Sequence, residues 1–203
     1  MDINNPYAQA GWYNPQNPHS INQWPWRPHS SSPTFSALPS FLERPTSVHK
    51  FTFTSFNPDI TNCVALGPNQ QNYFSVQTNG SITTVSKANH QTPAAVIQWG
   101  QHPTVEAANF LVPQRTSEFL KLSQDQTHRT MMADGKTYGW IPREDGIYLY
   151  NAGPHPPVEF ARMRLSNDMT KVYLELTGDA FPAGLLKPSI LATILLFSGR
   201  VLD

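Results

Sequence analysis

Cysteine and histidine side chains are the first candidates for chemistry, and Cys63 is the only cysteine of the chain. A thiolate beside a histidine base can act as a nucleophile. No flanking motif of a cysteine hydrolase surrounds Cys63, so a small buried apolar side chain is the favoured interpretation. His90, His102, His128 and His155 are isolated near turn residues, and no pair has metal-ligand spacing. We therefore predict no catalytic residue, no metal site and no cofactor.

Five basic residues form the nearest approach to a binding cluster: Arg129, Lys136, Arg143, Arg162 and Arg164. They fall on neighbouring predicted strands and turns, where they are candidate ligand-binding residues for an anionic headgroup. Three acidic residues interleave with them, namely Asp134, Glu144 and Asp145. A mixed, solvated surface is therefore the favoured interpretation of the same residues.

Carboxylates on the later strands give a second chemical hypothesis. Glu159, Glu175 and Asp179 lie on or beside these strands, and a carboxylate pair can perform glycosidase acid–base chemistry. Nothing in their spacing marks a pair, so solvated strand faces are the favoured interpretation. The sequence contains none of the G-x-G-x-x-G, Walker-type or G-x-S-x-G motifs. With 14 basic and 14 acidic residues the net charge is zero, which argues against nucleic acid as a partner.

The elements that position these residues begin after a long polar segment. Eight prolines recur within residues 1–47, and Asn, Gln and Ser fill much of the remaining sequence. Such a segment cannot bury enough apolar surface to offset its ordering entropy, so we predict a disordered tail. Trp12, Trp24 and Trp26 lie in it and could bind a partner. The stretch 35–42 is more apolar and could pack against the edge of the domain.

Residues 48–203 have the texture of an all-β domain. Short runs rich in β-branched and aromatic residues recur about every ten residues, divided by turn signals. Asn79-Gly80 and Asp134-Gly135 each predict a two-residue hairpin, the first of type I′. The predicted strands, about a dozen and mainly antiparallel, are near 51–54, 63–66, 73–77, 82–87, 94–99, 104–110, 129–132, 137–141, 147–150, 158–164 and 171–176, with 117–122 ambiguous between strand and helix.

The last element is different because residues 190–197 are apolar in every position except Thr193. Lys187-Pro188-Ser189 opens a helix, since proline suits the first helical position, and Gly199 suits its C-terminal cap. A helix that is apolar nearly all round is buried. We therefore predict a barrel of about 12 antiparallel strands closed around this helix. A β-strand over 190–197 is the alternative.

This pattern resembles the tubby-like architecture, which includes tubby C-terminal domains, phospholipid scramblases and plant LURP-one-related proteins. Residues 50–198 are more specifically similar to a family of unknown function abundant in mushroom-forming fungi. The matching motifs, in order, are FTF at 51–53, YFSV at 73–76, AVIQW at 95–99, SEFL at 117–120, YGW at 138–140, VEFA at 158–161, LEL at 174–176 and the apolar run 190–197. Arg129-Thr130-Met131 departs from the Arg-x-Phe of that family. The resemblance carries over no catalytic residues, and tubby domains imply a phosphoinositide headgroup as a ligand.

These observations favour a non-enzymatic binding module whose partner is a protein or a phospholipid headgroup. A hydrolase using Cys63 or a carboxylate pair, and a carbohydrate-binding protein, are the alternatives. The longest strongly apolar run has eight residues, whereas a membrane span needs about 20. The first residues lack the apolar core of a secretory signal, and no intrachain disulfide can form. We therefore expect an intracellular, cytoplasmic protein without a transmembrane segment, with peripheral membrane contact conceivable.

Overall fold

The structure of the chain, a computed structural model, describes residues 47–88, 92–153 and 157–203. Residues 1–46 of the predicted tail, with Trp12, Trp24 and Trp26, lie outside these residues, as do His90 and His155. The predictions for them stay predictions.

Thirteen strands form one antiparallel sheet, which confirms the prediction of a mainly β domain. Two meanders, β1–β7 and β8–β13, meet where β1 pairs with β13, so the spatial order is β7-β6-β5-β4-β3-β2-β1-β13-β12-β11-β10-β9-β8. The strands are β1 (Val48–Thr54), β2 (Cys63–Leu66), β3 (Asn72–Asn79), β4 (Ile82–Lys87), β5 (Pro93–Gln98), β6 (Thr104–Ala107), β7 (Leu111–Arg115), β8 (Lys121–Leu122), β9 (Arg129–Ala133), β10 (Lys136–Arg143), β11 (Gly146–Asn151), β12 (Glu159–Leu165) and β13 (Val172–Thr177).

Glycine at two hairpins explains how neighbouring strands turn so tightly. Asp134 and Gly135 both have positive φ, 48° and 71°, between the paired residues Ala133 and Lys136, as a type I′ turn requires. The type I′ turn predicted at Asn79-Gly80 was wrong in detail. Asn79 pairs with Ile82, so Gly80 is the first turn residue, and it has a positive φ of 58°. A glycine in that position gives the type II′ turn instead.

A C-terminal helix, α2 (Leu186–Phe197), packs against the inner face of the sheet, and its residues from Pro188 to Leu196 are all buried. Ile190 and Leu191 line a small cavity together with residues of β3, β4 and β5, namely Phe74, Val85 and Ala95. The hydroxyl of Thr193, the one polar group in the apolar run, donates to Ser189 O at 2.7 Å. Gly199 follows the helix with φ 66°, the left-handed conformation of a C-terminal glycine. The predicted buried helix is confirmed.

The predicted closed barrel is not confirmed, because the hydrogen-bonded ladder has two edges, β7 and β8, that do not pair with each other. A one-turn helix, α1 (Thr116–Phe119), occupies the interval between them. The ambiguous segment 117–122 is thus both the helix and the short strand β8. The additional strand is β7, which the sequence analysis missed. We call the interval between β7 and the β8–β9 pair the seam.

The seam differs between the two ends of the sheet. At the far end, where β9 begins, Thr116 Oγ1 donates to Leu202 O at 2.6 Å, and Arg129 Nη1 donates to Asp203 Oδ1 at 3.1 Å. The C-terminal residues therefore bridge the seam there. The opposite end, where β1 begins and β9 turns into β10, carries no described bridge of this kind. We call it the cleft end.

Candidate functional site

An open cleft of about 790 Å³ lies in the seam at the cleft end. Leu111, Val112 and Gln114 of β7 form one wall, and Met132 and Ala133 of β9 form the opposite wall. The rest of its lining comes from the β6–β7 turn, the Asp134-Gly135 turn, helix α1 and the start of α2: Ala107, Asn109, Phe110, Glu118, Phe119, Asp134, Gly135, Gly184 and Pro188. We refer to it as the seam cleft.

Two apolar side chains on facing walls of the seam cleft are unusually exposed. Val112 is 75% exposed and Met132 is 68% exposed, more than any other large apolar residue described. On β9 the residues adjacent to Met132, namely Met131 and Ala133, are buried and face the core, so Met132 faces away from it. Exposed apolar surfaces of this kind commonly mark binding sites.

The seam cleft is acidic where it is charged. Among its described lining residues the charged ones are Glu118 and Asp134, and neither has a basic partner there. A carboxylate-lined apolar cleft disfavours fatty acids and phosphate headgroups by charge repulsion and favours a ligand that joins apolar groups to a positive charge.

The backbone of β7 shapes the kind of contact the cleft can make. One side of β7 pairs with β6, and its other side faces the seam. Pro113 lies in the middle of the strand and has no N–H, which removes one donor from the edge. Such prolines protect edge strands from pairing with other chains. A ligand is therefore expected to bind through its side chains more than by extending the ladder.

Three of the five predicted basic residues come together, on the outer face of β10–β12. The Arg143 guanidinium lies 5.4 Å from the ring centroids of Tyr148 and of Tyr150. Arg162 Nε donates to Glu175 Oε2 at 2.6 Å, and Arg164 Nη2 donates to Glu175 Oε1 at 3.0 Å.

Acidic residues compensate this outer-face cluster. Burial favours the protonated form of Glu175, but its hydrogen bonds and ion pairs with Arg162 and Arg164 outweigh burial and lower its pKa. Burial raises the pKa of Glu159, against the opposing charges of Arg162 and Arg143. Burial, with the hydrogen bond to Asp145, raises the pKa of Tyr148 to about 12. The alternative of a mixed surface describes this cluster better than an anion site does.

The other two predicted basic residues are elsewhere. Arg129 is fully buried at the start of β9, where its Nη1 donates to Leu120 O at 2.7 Å in addition to Asp203. That position is inaccessible to a ligand, so its role is structural. Lys136 is exposed at the opposite end of β10 from Arg143. The two are seven residues apart along a strand, or about 23 Å, so no single small headgroup contacts both.

The other candidate reactive groups, Cys63 and the described histidines, do not form a common site. Burial, helped by the charge of Asp59, raises the pKa of the Cys63 thiol to about 12, so it is neither ionised nor exposed at neutral pH. Burial lowers the pKa of His128, against the charge of Asp125. In the part of the chain that the structure describes, no three His, Cys, Asp or Glu residues are grouped as a metal site would require. No helix there is both long and apolar enough to span a membrane.

Sequence reasoning missed the residues of the seam cleft. Val112 stands beside Pro113 in a stretch for which the sequence predicts no element, and Met132 lies in the predicted strand 129–132. One signal was present: Met131 and Met132 are consecutive apolar residues in a strand, and only one of two neighbours can face the core.

A β-sheet domain packed on an apolar helix, with an open cleft and separated reactive groups, is the class of protein that these observations define. Residues 58–200 match the profile of a family of unknown function, DUF6593, and the chain belongs to that family. The predicted membership of a family of unknown function is thereby confirmed.

Two further comparisons add little. No curated protein matches the chain. An X-ray structure of a protein from Arabidopsis thaliana is similar at 13% identity, covering 73% of this chain and 91% of that chain with a TM-score of 0.37.

Proposed function

We infer that this domain is a non-enzymatic binding module that takes an extended, apolar peptide segment carrying a basic residue into the seam cleft. The observation that carries the proposal is that Val112 and Met132, the two most exposed large apolar residues described, both line a cleft whose charged lining is acidic. A binding site for a chain segment needs apolar anchors and a complementary charge, and the cleft offers both.

The volume of the cleft fits a short segment of chain. A cavity of about 790 Å³ lies within the ~300–1,000 Å³ range of ligand sites. It accommodates a few side chains of a longer peptide. Two facing walls, one of them an edge strand interrupted by Pro113, favour an extended ligand that inserts alternate side chains.

The phospholipid headgroup is the weaker proposal for a ligand. The outer-face arginines that would bind it have Glu175 between them, and Lys136 and Arg129 are distant or buried. We also propose that this domain is related to tubby-like domains. The arrangement of two antiparallel meanders with a buried apolar helix supports this proposal.

Selection of peptides on the purified full chain tests the proposed function. A random 12-residue phage library should yield apolar peptides with Lys or Arg, and synthetic versions of the selected peptides should bind. We expect Met132→Lys to weaken their binding at least tenfold, because it places a positive charge and a polar group on the cleft wall.

The matched control is Met169→Lys, since Met169 is 65% exposed but lies in the β12–β13 turn at the far end. It should bind the selected peptides as the unsubstituted chain does. Equal weakening by both substitutions, or selected peptides indifferent to Met132→Lys, would contradict a site in the cleft.

A further inference from the structure

We propose that residues 35–44 of this chain bind in the seam cleft, so that the domain carries its own competitor for partner peptides. This inference rests on the proposed function, since it names a regulator of the same site.

The chain enters the domain at the cleft end. Ser47 O accepts a hydrogen bond from Gly178 N at 3.1 Å, and Val48 pairs with Thr177. The antiparallel order places the start of β1 at the same end of the sheet as Leu111 of β7 and the turn that follows Ala133 of β9. The N-terminal segment therefore joins the domain at the end where the cleft opens.

The path from that entry point to the cleft is short. Gly178, which holds Ser47, begins a 3₁₀ turn, Gly178–Ala180, and the following turns lead to Gly184 on the cleft lining. Leu185 N donates to Ala180 O at 2.9 Å, so this stretch is compact. Six residues in such turns cover about 12 Å at roughly 2 Å per residue. The five steps from residue 47 back to residue 42 span up to about 17 Å. The segment thus reaches the cleft without strain.

The segment combines apolar side chains with a basic residue, as the proposed ligand of the cleft does. It contributes four large apolar residues, Phe35, Leu38, Phe41 and Leu42, and one basic residue, Arg44, beside one acidic residue, Glu43. Pro39 disfavours helix at the residue before it, which suits an extended ligand that packs by its side chains. Elsewhere in residues 1–46 no stretch of this length combines four large aliphatic or phenylalanine side chains with an arginine.

Tethering makes even a weak contact effective. A segment held by a short linker acts at an effective concentration on the order of millimolar. If it binds with a dissociation constant of about 100 μM, it lowers the apparent affinity of a free peptide about tenfold. A partner peptide must then displace the segment, which sets a threshold for binding.

Disulfide trapping in the full chain tests the contact. We expect Leu38→Cys with Met132→Cys to form an intramolecular disulfide under mild oxidation at least tenfold faster than Leu38→Cys with Val158→Cys. Val158 is an exposed apolar residue at the same end of the sheet, just before β12 and outside the cleft. In the strand order β12 lies two strands from β1 and β9 lies five, so a segment that is only tethered would give no preference for Met132 over Val158. Equal rates for the two pairs would overturn the proposal. Cys63 is buried and does not compete.

Peptide affinity separates this inference from the proposed function. A selected peptide should bind about tenfold more tightly to the full chain carrying Leu38→Ser, Phe41→Ser and Leu42→Ser than to the unsubstituted chain. Equal affinity for both would overturn the intramolecular competitor and leave the proposed function standing. Failure to select any peptide on either chain would refute the proposed function, and the trapping rates alone would then decide whether the segment binds in the cleft.

Discussion

Glu175 is the residue on which the outer-face charges depend. It is buried, yet it accepts hydrogen bonds from Arg162 and Arg164 on the neighbouring strand β12. Register explains the contact, since Arg162 is the direct partner of Glu175 in the ladder. One carboxylate thus holds both guanidinium groups on the sheet surface and offsets one of their two positive charges.

Glu175→Gln should lower the free energy of unfolding by about 1–3 kcal/mol at pH 7, because both arginines lose their charged acceptor. Arg162 and Arg164 lower the pKa of Glu175 in the folded state. Its contribution is therefore complete above the ordinary glutamate pKa, about 4.3, and is lost as pH falls through the lower, folded-state pKa. Urea unfolding of both chains from pH 7 to pH 3 should show the difference between them shrinking only below about pH 4.3.

Glu159→Gln serves as the control at the same surface. Burial raises the pKa of Glu159, so its charged form opposes folding at neutral pH, and we expect a neutral or stabilising effect at pH 7. A constant deficit of Glu175→Gln across the whole pH range would contradict the assigned ion pairs.

At the scale of elements, helix α2 supplies much of the core. Nine consecutive residues, from Pro188 to Leu196, are buried. The helix could be predicted from its apolar run and the glycine after it, because a helix that is buried on all sides has no polar face. The start of the helix was predicted less accurately, since the helix begins at Leu186. Pro188 therefore lies in the first turn, where its missing N–H costs no intrahelical hydrogen bond.

Leu195→Asp should abolish the native fold, because Leu195 is 1% exposed and a carboxylate there would have no partner. Leu195→Ala should fold with a loss of about 2–5 kcal/mol from the cavity it creates. Thermal unfolding followed by β-type circular dichroism measures both. Val201→Asp, at an exposed position after the helix, is the control and should unfold as the unsubstituted chain does. A native melting temperature for Leu195→Asp would refute the buried position of this helix face.

Strand β7 shows where pattern reasoning failed. Its sequence is LVPQR, and a proline within a run argues against a strand unless that strand is an edge. Edge status is decided by pairing with distant parts of the chain, which periodicity does not encode. Two of the predicted strands, β2 and β4, were confirmed at both ends.

At the scale of the whole molecule, the seam is bridged at one end and open at the other. Asp203 binds the fully buried Arg129, and Leu202 accepts from Thr116, so the far end is held across the two sheet edges. The cleft end has Gly184, Pro188 and the Asp134-Gly135 turn around an open volume.

Asp203→Ala should destabilise the domain by about 3 kcal/mol, because it leaves the buried guanidinium without its carboxylate. Urea denaturation measures the loss, and a double-mutant cycle with Arg129→Met isolates the pair. The double substitution should cost less than the sum of the single ones. Strict additivity would mean that the two residues do not interact.

The candidate binding residues could be predicted only in part, because some of them are brought together by distant parts of the chain. Arg143 on β10 and Arg162 and Arg164 on β12 lie on either side of the shared strand β11, because consecutive antiparallel strands are spatial neighbours. Val112 and Met132 belong to different meanders and come together only because the sheet curves until its edges approach. No local pattern contains that information.

The order of the strands also means that the chain can be broken at helix α1 without interrupting any pairing between strands. Helix α1 is the only covalent connection between the two meanders, and none of the strand pairings passes through it. Fragments ending and restarting there would each retain a contiguous set of hairpins and would meet again through β1 and β13. The architecture is thus suited to complementation by two separately made halves, with the seam as the natural place for the break.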